Sequence, residues 1–176
     1  MSPTVRRLGP GEADLLRAVR LRALGDAPMA FGSTLAREEG YEPEKWERWA
    51  AESASGERQA IFIAEPEAGM ASGVIDDADP ALAHLYAMWV ARDARGTGAG
   101  TALVDAVVAW ATDRGAERLT TSVTEGNAAA MALYAAAGFA APAGASRSGT
   151  QTPSSRSSNS RSATARGRAR AGAAPA

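Results

Sequence analysis

The chain has 176 residues, no cysteine and a net charge of −1, which suits a single domain and excludes disulfides, thiolate metal sites and a cysteine nucleophile. One histidine, His84, excludes a multi-histidine centre, so no metal is expected. The small net charge hides a division: residues 1–140 hold all 20 acids and 13 bases, a net of −7, whereas residues 141–176 hold six arginines and no acid. An acidic body argues against nucleic-acid binding by the folded part and is compatible with a cationic substrate.

In chain order, residues 4–8 (TVRRL) predict a short strand. Residues 11–24 predict a helix carrying Leu15, Leu16, Val19 and Leu24 at helical spacing, with Asp14 near its start. Residues 25–34, punctuated by Gly, Asp and Pro, predict a loop. Pro43 suits the first turn of a second helix over 44–53, with Trp46 and Trp49 three apart on one face. Residues 58–65 and 70–76 predict a hairpin about the turn 66–69. Residues 81–91 predict a longer strand, apolar on both faces and therefore central.

A helix follows the next glycines, with Leu103, Val107 and Trp110 forming one stripe and Val104, Val108 and Ala111 its neighbour. Residues 117–123 predict a further strand, and 128–137 a helix closed by Gly138. The order β-α-α-β-β-β-α-β-α reads as an α/β fold with a mixed sheet.

Residues 141–176 contain no Val, Ile, Leu, Met or aromatic. Such a segment buries too little apolar surface to offset its ordering entropy, so a disordered tail is expected beside a domain over 1–140. The body uses 12 arginines to one lysine, as a GC-rich gene would, and such DNA read out of frame yields mostly Ala, Arg, Ser, Gly and Pro. A shifted reading frame is therefore the favoured reading of the tail, with an Arg/Ser tail for an anionic partner as its competitor. The N-terminus shows no apolar leader, and the run 128–137 is far shorter than the ~18–20 residues of a spanning helix. A soluble, cytoplasmic protein without a membrane partner is expected.

The chemistry concentrates in RGTGAGTA, residues 95–102. A Walker A loop needs a lysine after its last glycine, and none is present. A dinucleotide fingerprint counted from Gly96 would put its third glycine at Thr101, and the acid expected after a second parallel strand is missing. The pattern R-x-x-G-x-G remains, with Arg95, Gly98 and Gly100. Glycines let successive N–H groups converge, and the helix that follows turns its positive end to the same point, an arrangement that suits a pyrophosphate.

This loop resembles the pyrophosphate loop of the GNAT N-acetyltransferase superfamily. EGNAAAMALYAAAGF, residues 125–139, resembles the family's N-x-x-A-x-x-L-Y-x-x-x-G-F block at Asn127, Ala130, Leu133, Tyr134, Gly138 and Phe139. LRALGDAPMAFGST is similar to a stretch in one bacterial branch, so the resemblance covers roughly residues 4–140. It implies a mostly antiparallel central sheet flanked by helices. The family's two final strands have no counterpart in the composition after Phe139, which leaves one strand with an open edge.

The resemblance further implies acetyl-CoA as co-substrate and direct transfer to a primary amine of a small molecule or peptide. It assigns the cofactor to the backbone of Arg95, Gly96, Thr97, Gly98, Ala99, Gly100 and Thr101, with Arg95 adding charge beside the phosphates. Met88 and Val90 would offer backbone hydrogen bonds to the pantetheine arm and acetyl carbonyl, Val90 N–H as the oxyanion donor. Tyr134 is the candidate general acid, since a phenol of pKa ~10 can protonate a thiolate whose conjugate acid lies near ~8.5. Asn127 either contacts the cofactor arm or caps the last helix.

No general base stands out. His84, Glu125 and a chain of waters stay open, a lone strand histidine being more often structural. Arg22, Asp26, Phe31, Ser33 and Trp46 are candidates to line the acceptor site, between the first two helices and the central strand. Two readings of other classes compete: a coenzyme A-binding but catalytically impaired fold, and, as a distant third, a nucleic-acid or anion-binding protein acting through its tail.

Overall fold

The computed structural model describes residues 3–124, 126–140 and 160–166. Its elements are β1 (Val5–Arg7), α1 (Ala13–Asp26), α2 (Leu35–Glu39), α3 (Pro43–Ser55), β2 (Gln59–Ala64), β3 (Gly69–Ile75), β4 (Leu82–Val90), α4 (Ala99–Asp113), β5 (Arg118–Thr124), α5 (Ala128–Ala136) and β6 (Ser160–Arg166). The strands form one sheet in chain order. Every pairing is antiparallel except β4 with β5. A parallel pair cannot be joined by a tight turn, so the chain crosses over through α4.

The two faces of the sheet carry separate cores. On one face Leu103, Val104, Val107 and Trp110 of α4 pack with Tyr134 of α5 on Phe62, Leu85, Leu119 and Val123. On the other face Leu16 and Val19 of α1 and Trp46 of α3 cover Ile61, Ile63, Met70 and Trp89. Each such fully buried side chain contributes about 1.5–3 kcal/mol. Among the described residues no helix is long and apolar enough to cross a membrane.

The architecture is the mixed, mostly antiparallel sheet flanked by helices that the sequence predicts, with two differences. The short helix α2 goes unread because five residues show no period. Its only sequence signal is the N-cap Thr34, whose side chain accepts from Arg37 N. The second difference lies in the expected tail. Residues 160–166 form β6, paired with β5 from Arg118↔Arg166 to Thr124↔Ser160, so β5 has a neighbour where an open edge was expected. A ladder is built from backbone groups, whereas the expectation of disorder rested on side-chain burial alone. Residues 141–159 and 167–176, the rest of that segment, lie outside the described residues.

Candidate active site

Parallel pairing of β4 with β5 runs from Leu82↔Arg118 to Leu85↔Thr121 and stops, although β4 continues to Val90 and β5 to Thr124. The strands splay because β4 carries a bulge. Its register with β3 steps from Met70↔Trp89 to Ser72↔Tyr86, and Ala87 within that step has φ 52°. A bulge bends and twists its strand, and a non-glycine residue in this region costs roughly 1–3 kcal/mol that the surrounding packing must offset.

Beyond the bulge, Ala91 N donates to the Ala68 carbonyl at 2.8 Å. By the alternation of an antiparallel ladder, Val90, opposite Gly69, turns its N–H and C=O away from β3 and into the gap. The carbonyl accepts from Arg95 Nε at 3.0 Å, while the N–H faces the splay. Met88, two residues back, packs its side chain toward the α4 face of the sheet.

Gly96 and Gly98 have φ of 78° and 93°. Gly98 is the N-cap of α4 and brings no side chain, so no side chain bonds the first N–H groups of the helix. Thr97 Oγ1 donates to the Ala94 carbonyl at 2.7 Å. Thr97 and Thr101 are exposed, whereas Ala99 is buried against the core. Gly100 has a packing reason of its own: a Cβ there would lie 3.2 Å from Leu133 Cδ2 and 3.6 Å from Met88 Cε.

Arg95 is held rather than free. It donates to Asp26 Oδ2 at 2.9 Å, and the same carboxylate accepts from Trp89 Nε1 at 3.0 Å and Arg92 Nε at 2.6 Å. The Trp89 hydrogen bond, then that from Arg92, keeps the Asp26 carboxyl below the usual carboxylate range against the opposing effect of burial. Asp26, expected among the acceptor-lining residues, clamps the end of α1 to the glycine loop.

Tyr134 reaches the closed end of the splay from the α4 face and is 5% exposed. Its ring packs on Phe139 at 5.4 Å between centroids. Burial pushes the phenol up from its ordinary value, and the neighbouring Thr121 side chain opposes that shift. Thr121 Oγ1 in turn donates to the Leu85 carbonyl at 3.1 Å, so Tyr134 stands beside the last parallel pair. Asn127 caps α5, its Oδ1 accepting from Ala130 N at 3.0 Å. It also borders a cavity of about 310 Å³ between the loop 27–30 and Thr124.

The other expected acceptor residues do not converge on that cavity. Trp46 is 2% exposed and stacks on Trp49 at 5.6 Å. Phe31 lies under the Arg20 guanidinium at 4.7 Å, and Arg22 lies over Trp89 at 5.5 Å. Ser33 precedes the cap of α2, and Glu125 lies outside the described residues. What the sequence reading missed is the wet face of β5. Thr120, Ser122 and Thr124 alternate with buried Leu119, Thr121 and Val123, a period-2 signal that marks one face open to solvent.

The family model described as Acetyltransferase (GNAT) family matches residues 26–139. No curated protein matches the chain. Among solved structures, an acetyltransferase of the GNAT family from Streptococcus pneumoniae is similar at a TM-score of 0.71 and 21% identity, over 92% of this chain and 97% of that one. The paia N-acetyltransferase from Thermoplasma acidophilum, in complex with coenzyme A, is similar at 0.70 and 16%, over 94% and 99%. The yncA protein of Salmonella typhimurium, with its cofactor acetyl-CoA, is similar at 0.69 and 17%, over 100% and 99%.

Proposed function

The chain belongs to the GNAT acetyltransferase family, and from that premise we propose that it is an acetyl-CoA-dependent N-acetyltransferase moving acetyl directly to a primary amine. The observation that carries this reading is the splay itself. Val90 N–H points into the gap between β4 and β5, and Tyr134 stands at its closed end beside Thr121.

The residues present fit the co-substrate, which two similar structures contain. Uncapped N–H groups at the start of α4, after two glycines with positive φ, suit a pyrophosphate. Arg95 and Arg92 stand beside them. When bound, acetyl-CoA supplies the activated acyl group. In this reading Val90 N–H donates to the carbonyl oxygen as negative charge develops there. Tyr134 gives its proton to the departing sulfur and regains one from the acetylated nitrogen or solvent. The C–N bond forms as the C–S bond breaks, and no bond to the protein is made. Asn127 serves as the cap of α5 and as a wall of the acceptor cavity.

Two measurements test this together: calorimetric titration of acetyl-CoA into the protein and its Gly98→Val variant, and thiol release with spermidine, a lysine peptide and an aminoglycoside. The expected result is binding that the variant loses and thiol release with at least one amine. Binding unaffected in the variant overturns the phosphate site. Binding without release by any amine favours the catalytically impaired fold.

A further inference from the structure

Resting on that reading, we propose that Asp76, His84 and Thr120 form a proton relay that takes the acceptor's proton on the face of the sheet opposite Tyr134. His84 Nδ1 lies 2.9 Å from Thr120 Oγ1, and Nε2 lies 2.9 Å from Asp76 Oδ2. The register explains the placement. His84 pairs with Thr120 one step before the last parallel pair, Leu85↔Thr121, so the relay begins where the splay begins.

The face follows from the same registers. Trp89 is opposite Met70, Tyr86 opposite Ser72 and His84 opposite Val74. All of these side chains lie on the side that α1 and α3 cover. The helices bury Met70 and Trp89 but leave Tyr86 50% exposed, with Ser122 and Thr124 also exposed. The His84 and Tyr86 rings stack at 5.5 Å. A polar strip therefore runs from Thr120 along β5 to Thr124, whose Oγ1 donates to the Met29 carbonyl at 3.4 Å beside the 310 Å³ cavity.

Asp76 also accepts from Ala78 N and Asp79 N at 2.9 and 3.0 Å. The His84 hydrogen bond, then these two, holds its carboxyl below the usual range. An ionised carboxylate only accepts, so Nε2 carries the hydrogen and Nδ1 turns its lone pair to Thr120, whose hydroxyl donates. An acceptor ammonium passes a proton through water to Thr120 Oγ1 as the Thr120 proton moves to Nδ1. The imidazolium, stabilised by Asp76, then releases it to solvent. The amine is left neutral for attack, and acid and base act from opposite faces of the splay.

The experiment uses nitrogen NMR of the imidazole, unambiguous because His84 is the sole histidine, together with thiol release from acetyl-CoA with the three amines named above. The expected spectrum is the Nε2–H tautomer. His84→Gln and Asp76→Asn are expected to lower kcat roughly 100-fold and 10-fold with KM for acetyl-CoA unchanged. A hydrogen on Nδ1 in the wild type, or unchanged kcat in folded His84→Gln, overturns the relay and leaves the transferase reading standing. Thiol release without any amine, with acetyl bound to Thr120, overturns it too. Acetyl-CoA binding with no release for any amine overturns the transferase reading itself, and the relay with it.

Discussion

Asp26 Oδ2 lies 2.9 Å from Arg95 Nη2 and so joins the last residue of α1 to the first residue of the glycine loop. Through Trp89 and Arg92 the same carboxylate also grips the end of β4. Asp26→Asn keeps the shape and removes the charge. The expected outcome is a roughly tenfold weaker acetyl-CoA affinity, the scale of one charge-assisted hydrogen bond, measured by calorimetry. Unchanged affinity would mean that the loop holds its form without the clamp.

Tyr134→Phe removes one oxygen from a packed ring. Because burial and the Phe139 contact remain, the melting temperature should fall only by the equivalent of about 1 kcal/mol. The rate of acetyl transfer should drop about 100-fold with KM for acetyl-CoA nearly constant. Equal loss in both parameters would identify a packing role instead.

Gly98, the N-cap of α4, and Gly100, in its first turn, should fail for different reasons. Gly98→Ala meets nothing nearer than 3.9 Å but stands at φ 93°, so it should cost about 1–2 kcal/mol through backbone conformation. Gly100→Val drives atoms into Leu133, an overpacking cost of about 1–3 kcal/mol that should loosen α5. Urea titration gives both energies, and Leu133→Ala should rescue only the second.

Arg20 and Glu38 form a buried bidentate pair at 2.8 and 2.7 Å. Burial alone would raise the Glu38 carboxyl, but hydrogen bonds led by those from Arg20 outweigh it and hold the group below its ordinary range. A depressed carboxylate contributes stability that is full above its unfolded pKa, near ~4.3, and is lost as pH falls through the folded value. Glu38→Gln should therefore cost about 3–5 kcal/mol near neutrality, and its difference from wild type should shrink below about pH 4. A difference that stays constant into acid would contradict the ionised pair.

Ending the chain after Ala140 removes β6 and uncovers the backbone of β5. An uncovered edge invites pairing with another copy, so the shortened protein should elute as larger species on size exclusion. A monomer of unchanged melting temperature would mean that β6 adds nothing to the sheet. In either case, apolar alternating strands in another frame of the gene after Phe139 would support the shifted-frame reading of residues 141–176.

By itself the sequence determined what depends on local chemistry. Apolar spacing marked α1, α3, α4 and the five strands through β5. Gly96 and Gly98 marked a turn before a helix, because positive φ is settled within a few residues. Asn127, by contrast, read as either a cap or a contact of the cofactor arm, and is seen to cap α5 only through its bond with Ala130 N. Tertiary structure alone decided what depends on register and reach. Whether Arg95 is free or clamped turns on Asp26, 69 positions away. Gly100 answers to Leu133, and His84 gains meaning only from Thr120 and Asp76 on neighbouring strands. The splay needs the bulge at Ala87, which no composition signal announces. β6 follows from backbone pairing, to which a count of apolar side chains is blind.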